Sequence, residues 1–312
     1  MAKSRSGTGD GGRWVQHTVS PDEAGMSVEE LLVASLGVSR RMIQRLTRSQ
    51  GIRLNRRSPR LAGRVKAGDT LSVRIAAKEE SGLVPVEMML RIVHEDADVL
   101  VVDKPPFLLV HPVNAKQRRT LAHGIAHHFA QTGVSARVRP LHRLDRDTSG
   151  LLVIAKTEFA HQHLDRQLRQ GMLRREYLAL VEGRLEGEGG LITAAIGRLA
   201  GSPHLRAVRQ DGEPALTRYR VLACSDEMTM LELQLETGRT HQIRVHLAHL
   251  GHPVVGDRQY GARQQTPLRR QALHAHRIGF AHPMTGEIRA FEAEIPGDLA
   301  PLVGALHPDR AI

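Results

Sequence analysis

Apolar spacing divides the chain into two kinds of text. Between Met26 and Ile75 a helical rhythm comes first. Leu31, Leu32 and Leu36 follow Ser27 and Glu30, a Ser-x-x-Glu capping box, and Gly37 can end that helix. Ser39 caps a second helix running to about Ser49, with Met42, Ile43 and Leu46 on its apolar side and Gly51 as its stop. Ile52 to Asn55 and Thr70 to Ile75 read as short strands, with Gly68-Asp69 as a turn. From about residue 87 short alternating strands take over. Leu90 to Val93 and Val99 to Val102 flank an acidic turn, and Met284-Thr285-Gly286 carries a hairpin signal. Leu151 to Ala155, an apolar run bounded by turn residues, reads as a buried strand. Helical stretches are fewer there, the clearest being Phe159 to Gln170. This mixture predicts an α+β chain with a largely antiparallel sheet.

Local composition sets the boundaries. The first residues are Gly, Ser and charge, which predicts a disordered arm over residues 1–20. A small domain then spans residues 21–78. The stretch Glu79 to Pro85 has linker composition and reverses the charge, so residues 79–86 are expected to join it to a large domain over 87–312.

Charge narrows the partners. Lys plus Arg outnumber Asp plus Glu by 44 to 33, a net charge of +11, and most of the cations are arginines. Such a balance points to a polyanion, nucleic acid first. The bias concentrates in the small domain, where ten basic residues and no acidic one lie between Arg40 and Lys66. Arg41, Arg45 and Arg48 fall at i, i+4 and i+7 of the second helix and form one stripe beside Arg40. A solvated face normally mixes both signs, so this run is expected to bind phosphates. Cys224 is the only cysteine, which leaves no internal disulfide and no thiolate zinc site and suits a reducing cytoplasm. There is no apolar export core at the N-terminus and no run of eighteen apolar residues, so neither export nor membrane spanning is expected. Without heptads or a large apolar stripe, a monomer is the expectation.

Three clusters can carry chemistry. The first, His142-Arg-Leu-Asp-Arg-Asp-Thr-Ser-Gly150, sets a knot of charge at the entry to the buried strand, where a reactive side chain is both rigidly held and open to solvent. Taken alone, it reads first as a well-made turn. The second is Arg175 to Gly183, in which Tyr177 opens an apolar strand in a chain with only three tyrosines. Nine aromatic residues in all are too few for a multi-base stacking platform, although one ring against one base remains open. The third runs from Leu235 to Gly261. Thr240 is expected to cap a helix reaching about Leu250, closed by Gly251 and Pro253, with Arg244 near its start. His246 and His249 could share a face with Asp257 available, but no His-Glu-x-x-His pattern supports a zinc site, so no metal is expected.

In this order and at these separations the clusters resemble the RluA-type pseudouridine synthases. His-Arg-Leu-Asp-x-x-Thr-Ser-Gly-Leu-Leu at 142–152 is similar to that family's catalytic motif, and Gly-Arg-Thr-His-Gln-Ile-Arg-x-His at 238–246 to its later signature. The resemblance spans nearly everything from Leu90 to Pro296. The small domain resembles the S4 RNA-binding module through Leu-Gly-Val-Ser-Arg-Arg at 36–41, Gly-Ile-Arg-Leu-Asn at 51–55 and Val-Lys-Ala-Gly-Asp-Thr-Leu at 65–71. It departs at Arg56, where the S4 pattern usually has Gly.

The resemblance implies a pseudouridine synthase fold, a mixed and mostly antiparallel sheet with flanking helices and a central cleft, behind a small S4-like α/β module. It implies Asp145 as the catalytic carboxylate, Arg244 as its partner, Tyr177 stacking on a flipped uracil and Arg143 entering the space the base leaves. His142 and Arg239 would join Arg40, Arg41, Arg45 and Arg48 on RNA, with no cofactor and no metal. The expected reaction isomerises uridine in RNA, most simply large-subunit (23S) ribosomal RNA. The same reaction on tRNA, or a non-catalytic ribosome-assembly role, is the alternative.

Chemistry fits these roles. A paired base must be extruded to react. Hydrolysing a glycosidic bond takes two carboxylates, whereas a retained uracil in a dry site needs one nucleophile. An aspartate among leucines is costly to keep charged, and a guanidinium, always protonated and able to bridge both oxygens, offsets that cost.

Overall fold

In a computed structural model the described residues are 7–9, 12–76, 79–114, 116–263 and 265–306. The small module begins earlier than expected. Within the stretch assigned to an arm, β1 (Gly7–Gly9) and β2 (Gly12–Thr18) form a hairpin, and β2 pairs along β4. Val15 and Val19 join the module's core through the alternation Val15-Gln16-His17-Thr18-Val19, in which Gln16 and Thr18 are exposed, while Trp14 is buried on the opposite face with Arg53 and Arg74 over its ring. Residues 1–6, 10 and 11 of the expected arm lie outside the described residues.

Helix α1 (Val28–Ala34) carries the capping box, with Ser27 Oγ accepting from Glu30 N at 3.1 Å and Glu30 accepting from Ser27 N at 2.6 Å. Helix α2 (Arg40–Arg48) is capped by Ser39, and strands β3 (Ile52–Leu54) and β4 (Thr70–Ala76) complete a sheet of order β1-β2-β4-β3. Asn55 and Arg56 both hold left-handed backbone, φ 48° and 68°. The two-residue turn closed by Leu54 and Arg57 demands it. Asn55 is held by Thr70 N and Asp69, while Arg56 stands at left-handed φ where the S4 pattern has Gly.

The large domain is built on one ten-stranded sheet. Its strands are β5 (Arg91–Glu95), β6 (Val99–Lys104), β7 (Arg139–Pro140), β8 (Ser149–Ala155), β9 (Arg174–Glu182), β10 (Gly189–Thr193), β13 (Leu216–Cys224), β14 (Met228–Leu235), β15 (Leu273–Ala281) and β16 (Ile288–Glu292). The main path runs β10-β13-β14-β9-β15-β8-β6-β5, with β16 on β15 and β7 on β8. A separate hairpin pairs β11 (Ile196–Leu199) with β12 (Ser202–Val208). All pairings are antiparallel except β15 with β8, so the sheet is mixed and mostly antiparallel, as expected. Strand β8 is buried along its whole length, consistent with its unbroken apolar text. Helices α3 (Leu121–Gln131), α4 (Glu158–Arg169), α5 (Gln242–His249) and α6 (Ala300–Leu306) flank the sheet.

The two modules are locked together through α4. Phe159 packs into the small module's core, and Arg166 donates to Gly37 O at 2.6 Å beside Ser39 N on Gln162 at 3.0 Å. Two ion pairs cross the same boundary, Arg45 with Glu158 and Arg13 with Asp98. The expected linker lies pinned on the large domain, with Glu79 N donating to Ser135 O at 3.1 Å and Leu83 against its core.

Where β8 meets β15 the backbones approach too closely for a side chain. Gly150 has φ 113°, and a Cβ there would stand 2.2 Å from Ala275 O. Gly150→Ala is therefore expected to lower stability by about 2–4 kcal/mol through strain plus overpacking, read as a shifted urea midpoint. A midpoint equal to wild type would mean the parallel pairing is not formed here.

Candidate active site

Asp145 lies in the loop between β7 and β8, four residues before the buried strand. Three elements meet there. Leu144, Asp145 and Thr148 come from that loop, Tyr177 from β9, and His241, Ile243 and Arg244 from the start of α5. The cavity they enclose is about 50 Å³, room for little more than one water at ~30 Å³.

The electrostatic centre is the Arg244 guanidinium, buried at the base of the cleft. Its Nη1 donates to Asp145 Oδ2 at 3.1 Å. Its other edge is clamped by Asp257, with Nε on Oδ2 at 2.6 Å and Nη2 on Oδ1 at 2.8 Å, and Nη2 also donates to Gln259 at 2.7 Å. The Tyr260 ring lies 4.8 Å from the guanidinium carbon. Burial disfavours the charge on Arg244, but Asp257 and Asp145 outweigh it and hold the proton more tightly than in free arginine. His241 closes the side. Its Nε2 is 3.9 Å from Asp145 Oδ1 and its Nδ1 2.7 Å from the Tyr260 hydroxyl. Burial pushes the His241 pKa down, which leaves the ring neutral beside the carboxylate.

The Asp145 loop has almost no regular structure, so buried cations take up its carbonyls. Lys104 Nζ donates to Arg146 O at 3.0 Å and to Pro105 O and Leu108 O at 2.9 Å each, one acceptor for every ammonium hydrogen. Arg270 reaches Asp147 O at 3.3 Å and pairs with Asp298. The side chain of Asp147 is bound to Arg146 at 2.7 and 3.0 Å.

A family model described as "RNA pseudouridylate synthase" matches residues 98–249. The chain is 39% identical over 290 residues to the RNA pseudouridine synthase YhcT of Bacillus subtilis, covering 92% of this chain and 96% of that one. It belongs to the RluA-type RNA pseudouridine synthases. The ribosomal large subunit pseudouridine synthase D of Nitrosomonas europaea is 37% identical over 314 residues, 97% of this chain and 91% of the relative. The solved human RNA pseudouridylate synthase domain containing 1 superposes with a TM-score of 0.55 at 28% identity, covering 72% of this chain and 97% of that one. The protein is thus an isomerase of RNA uridines, and no helix among its described residues is long and apolar enough to cross a membrane.

Within this synthase the expected residues fall into two places. Asp145, Arg244, Tyr177, Arg143 and Arg239 all line the cleft. Tyr177 is 4% exposed, and burial raises its hydroxyl pKa. Arg143 reaches across to donate to Thr240 Oγ1 at 2.7 Å. Arg239 pairs with Glu213 and donates to Pro214 O at 3.1 Å. Arg40, Arg41, Arg45 and Arg48 sit apart, exposed on α2 of the small module.

Two expectations need correction. His142 offers RNA nothing polar, because both ring nitrogens are buried and unpartnered. Thr240 does not cap α5. His241 does, with left-handed backbone at φ 58°, while Thr240 serves Arg143. His246 is bonded at both nitrogens, to Thr217 and Ala194 O, and Asp257 is held by Arg244. Sequence reading missed Asp257, Gln259 and His241 as members of the site. Their signal was an aspartate after the apolar run Pro-Val-Val-Gly, where a buried carboxylate requires a cation.

His142 leads to a pH prediction. Burial, aided by the Arg175 guanidinium, draws its pKa down to about 3. The unfolded chain therefore binds the extra proton between pH 6.5 and about 3, and stability falls as pH drops through that window. At pH 5 the cost is about 2 kcal/mol relative to pH 7. His142→Leu should flatten the decline by that amount in denaturant titrations at the two pH values. An equal decline in both proteins would show the ring already accessible to protons.

Proposed function

We propose that this synthase isomerises a uridine of large-subunit ribosomal RNA, with Asp145 as nucleophile on a base flipped out of its helix. The observation that carries the reading is one carboxylate, Asp145, held against a guanidinium that Asp257 and Gln259 fix from behind. The choice of ribosomal RNA leans on the relatives named large-subunit synthases. Basic charge and the lone cysteine suit work on that RNA in the cytoplasm. The small module, S4-like in its sequence, would add phosphate contacts from Arg40, Arg41, Arg45 and Arg48.

In this reading the uracil enters between Tyr177 and Asp145. Arg143, which lines the same cleft and is held there by Thr240, gives up that hydrogen bond as the base enters. That releases Arg143 to fill the gap left in the RNA helix, offsetting part of the few kcal/mol of unstacking. The carboxylate then assists rupture of the N1–C1′ bond, the uracil turns, and C5 bonds to C1′. The C5 proton is lost and N1 gains one, so the product is an isomer of the substrate. Leu144, Ile243 and Leu273 keep water from the ribose while the base is detached. Asp145 needs no second carboxylate, since nothing is hydrolysed.

Asp145→Asn tests the assignment. Pseudouridine formation in ribosomal RNA should fall below detection in chemical mapping, while RNA affinity changes by less than about 2-fold, because an uncharged amide removes no attraction for phosphate. Residual isomerisation at a tenth of the wild-type rate would remove the nucleophile role.

A further inference from the structure

A groove of about 1090 Å³ runs between the two modules, far larger than the catalytic cleft. One wall is α2 and the other is β7 with α4. Seven arginines line it against three carboxylates. Each carboxylate is already paired with a groove arginine: Glu158 with Arg45, Glu79 with Arg139, and Asp165 with Arg169. Arg166 is committed to Gly37 O. Arg41, Arg48 and Arg137 are exposed and have no partner among the described residues. His161 adds no charge at neutral pH, since burial lowers its pKa.

Burial, and the guanidiniums of Arg139, Arg41 and Arg137 against a favourable Glu79, loosen the proton on Arg45, so these cations crowd one another. Such an arrangement repels itself until an anion enters. The walls cannot separate to relieve it, because α4 is bonded to the turn before α2 through Gln162, His163 and Arg166.

We propose that this intermodule groove, with Arg41, Arg45 and Arg48 on one wall and Arg137, Arg139 and Arg169 on the other, is a second RNA site that grips the phosphate backbone of the substrate. The class of ligand follows from size and lining. Arg139 pairs with Ala155 at the far end of β8, whereas Asp145 precedes its near end, so the sites lie about 20 Å apart along a seven-residue strand. Only an extended polyanion reaches both. No Trp, Tyr or Phe lines the groove, so it holds phosphates without stacking bases and fixes register without reading sequence. This inference rests on the RNA-synthase reading and extends it to the catalytic domain's own share of the small module's interface.

The test is filter binding of a large-subunit ribosomal RNA transcript to the full-length protein over a range of salt. Arg137→Glu with Arg169→Glu should weaken binding at least roughly 25-fold at ~0.1 M salt and lower the salt slope by about 1.4, the share of two phosphate contacts. Gln44→Glu, one exposed change on α2, should weaken it about 5-fold. A control of equal charge, Arg184→Glu with Arg289→Glu, is exposed and outside the groove and should change affinity less than about 2-fold. Wild-type affinity and slope in the groove variants, or an equal loss in the control, overturns the proposal. If wild type forms pseudouridine in this RNA while the groove variants bind normally, only the groove fails. If wild type forms none but the groove variants lose binding, the target assignment fails and the groove stands.

Discussion

Arg244 is shared between two carboxylates, and the catalytic region is organised around that sharing. A lone guanidinium at this depth would be costly, and a buried pair often gains little once desolvation is counted. What the arrangement supplies is direction. Asp257 takes the Nε edge in two hydrogen bonds, Gln259 occupies the remaining Nη2 position, and only Nη1 faces the cleft. Asp145 therefore meets a donor whose position is set before any substrate arrives, the condition under which electrostatic stabilisation is strongest. Lysine could not do this, since a point charge on a flexible stem has no second edge to anchor.

The surrounding fold keeps that geometry rigid with few hydrogen bonds of its own. The loop bearing Asp145 lies between β7 and a strand buried on all sides, and its carbonyls are taken by Lys104 and Arg270. Burial pulls the Lys104 pKa down to about 7, while Asp147 and Asp145 pull the other way, and three carbonyl acceptors match the charged form. On the opposite wall, left-handed His241 bends the chain into α5 so that Arg244 starts one turn inside the helix. The strain of that residue is offset by its bond to Tyr260. A site assembled from a loop, strands and a helix start draws on parts of the chain up to 130 residues apart, from Arg143 to Leu273.

Legibility varied with how far each feature depends on local sequence. The capping box of α1, the Ser39 cap and strands β3, β4 and β8 were readable because side chain and neighbouring backbone decide them. Helix α3 was not. Leu121, Ala122, His123, Gly124, Ile125 and Ala126 are buried around most of its circumference, which erases the amphipathic contrast that marks a helix. Strand β2 hid in a polar, glycine-rich start whose apolar residues find a partner only in β4.

The sequence by itself determined the chemistry available: one aspartate before a buried strand, one tyrosine opening another, an arginine in a histidine-rich helix, and an unbalanced basic stripe. Residue type and spacing carry these, because charge, hydrogen-bonding capacity and periodicity belong to the chain. Tertiary structure alone decided which of them meet. It gave Arg244 to Asp257 as well as Asp145, buried both nitrogens of His142, and set the basic stripe opposite arginines of the other module. Those outcomes depend on distances between elements remote in the chain, and the energy of a charge depends on how much water the rest of the fold leaves around it.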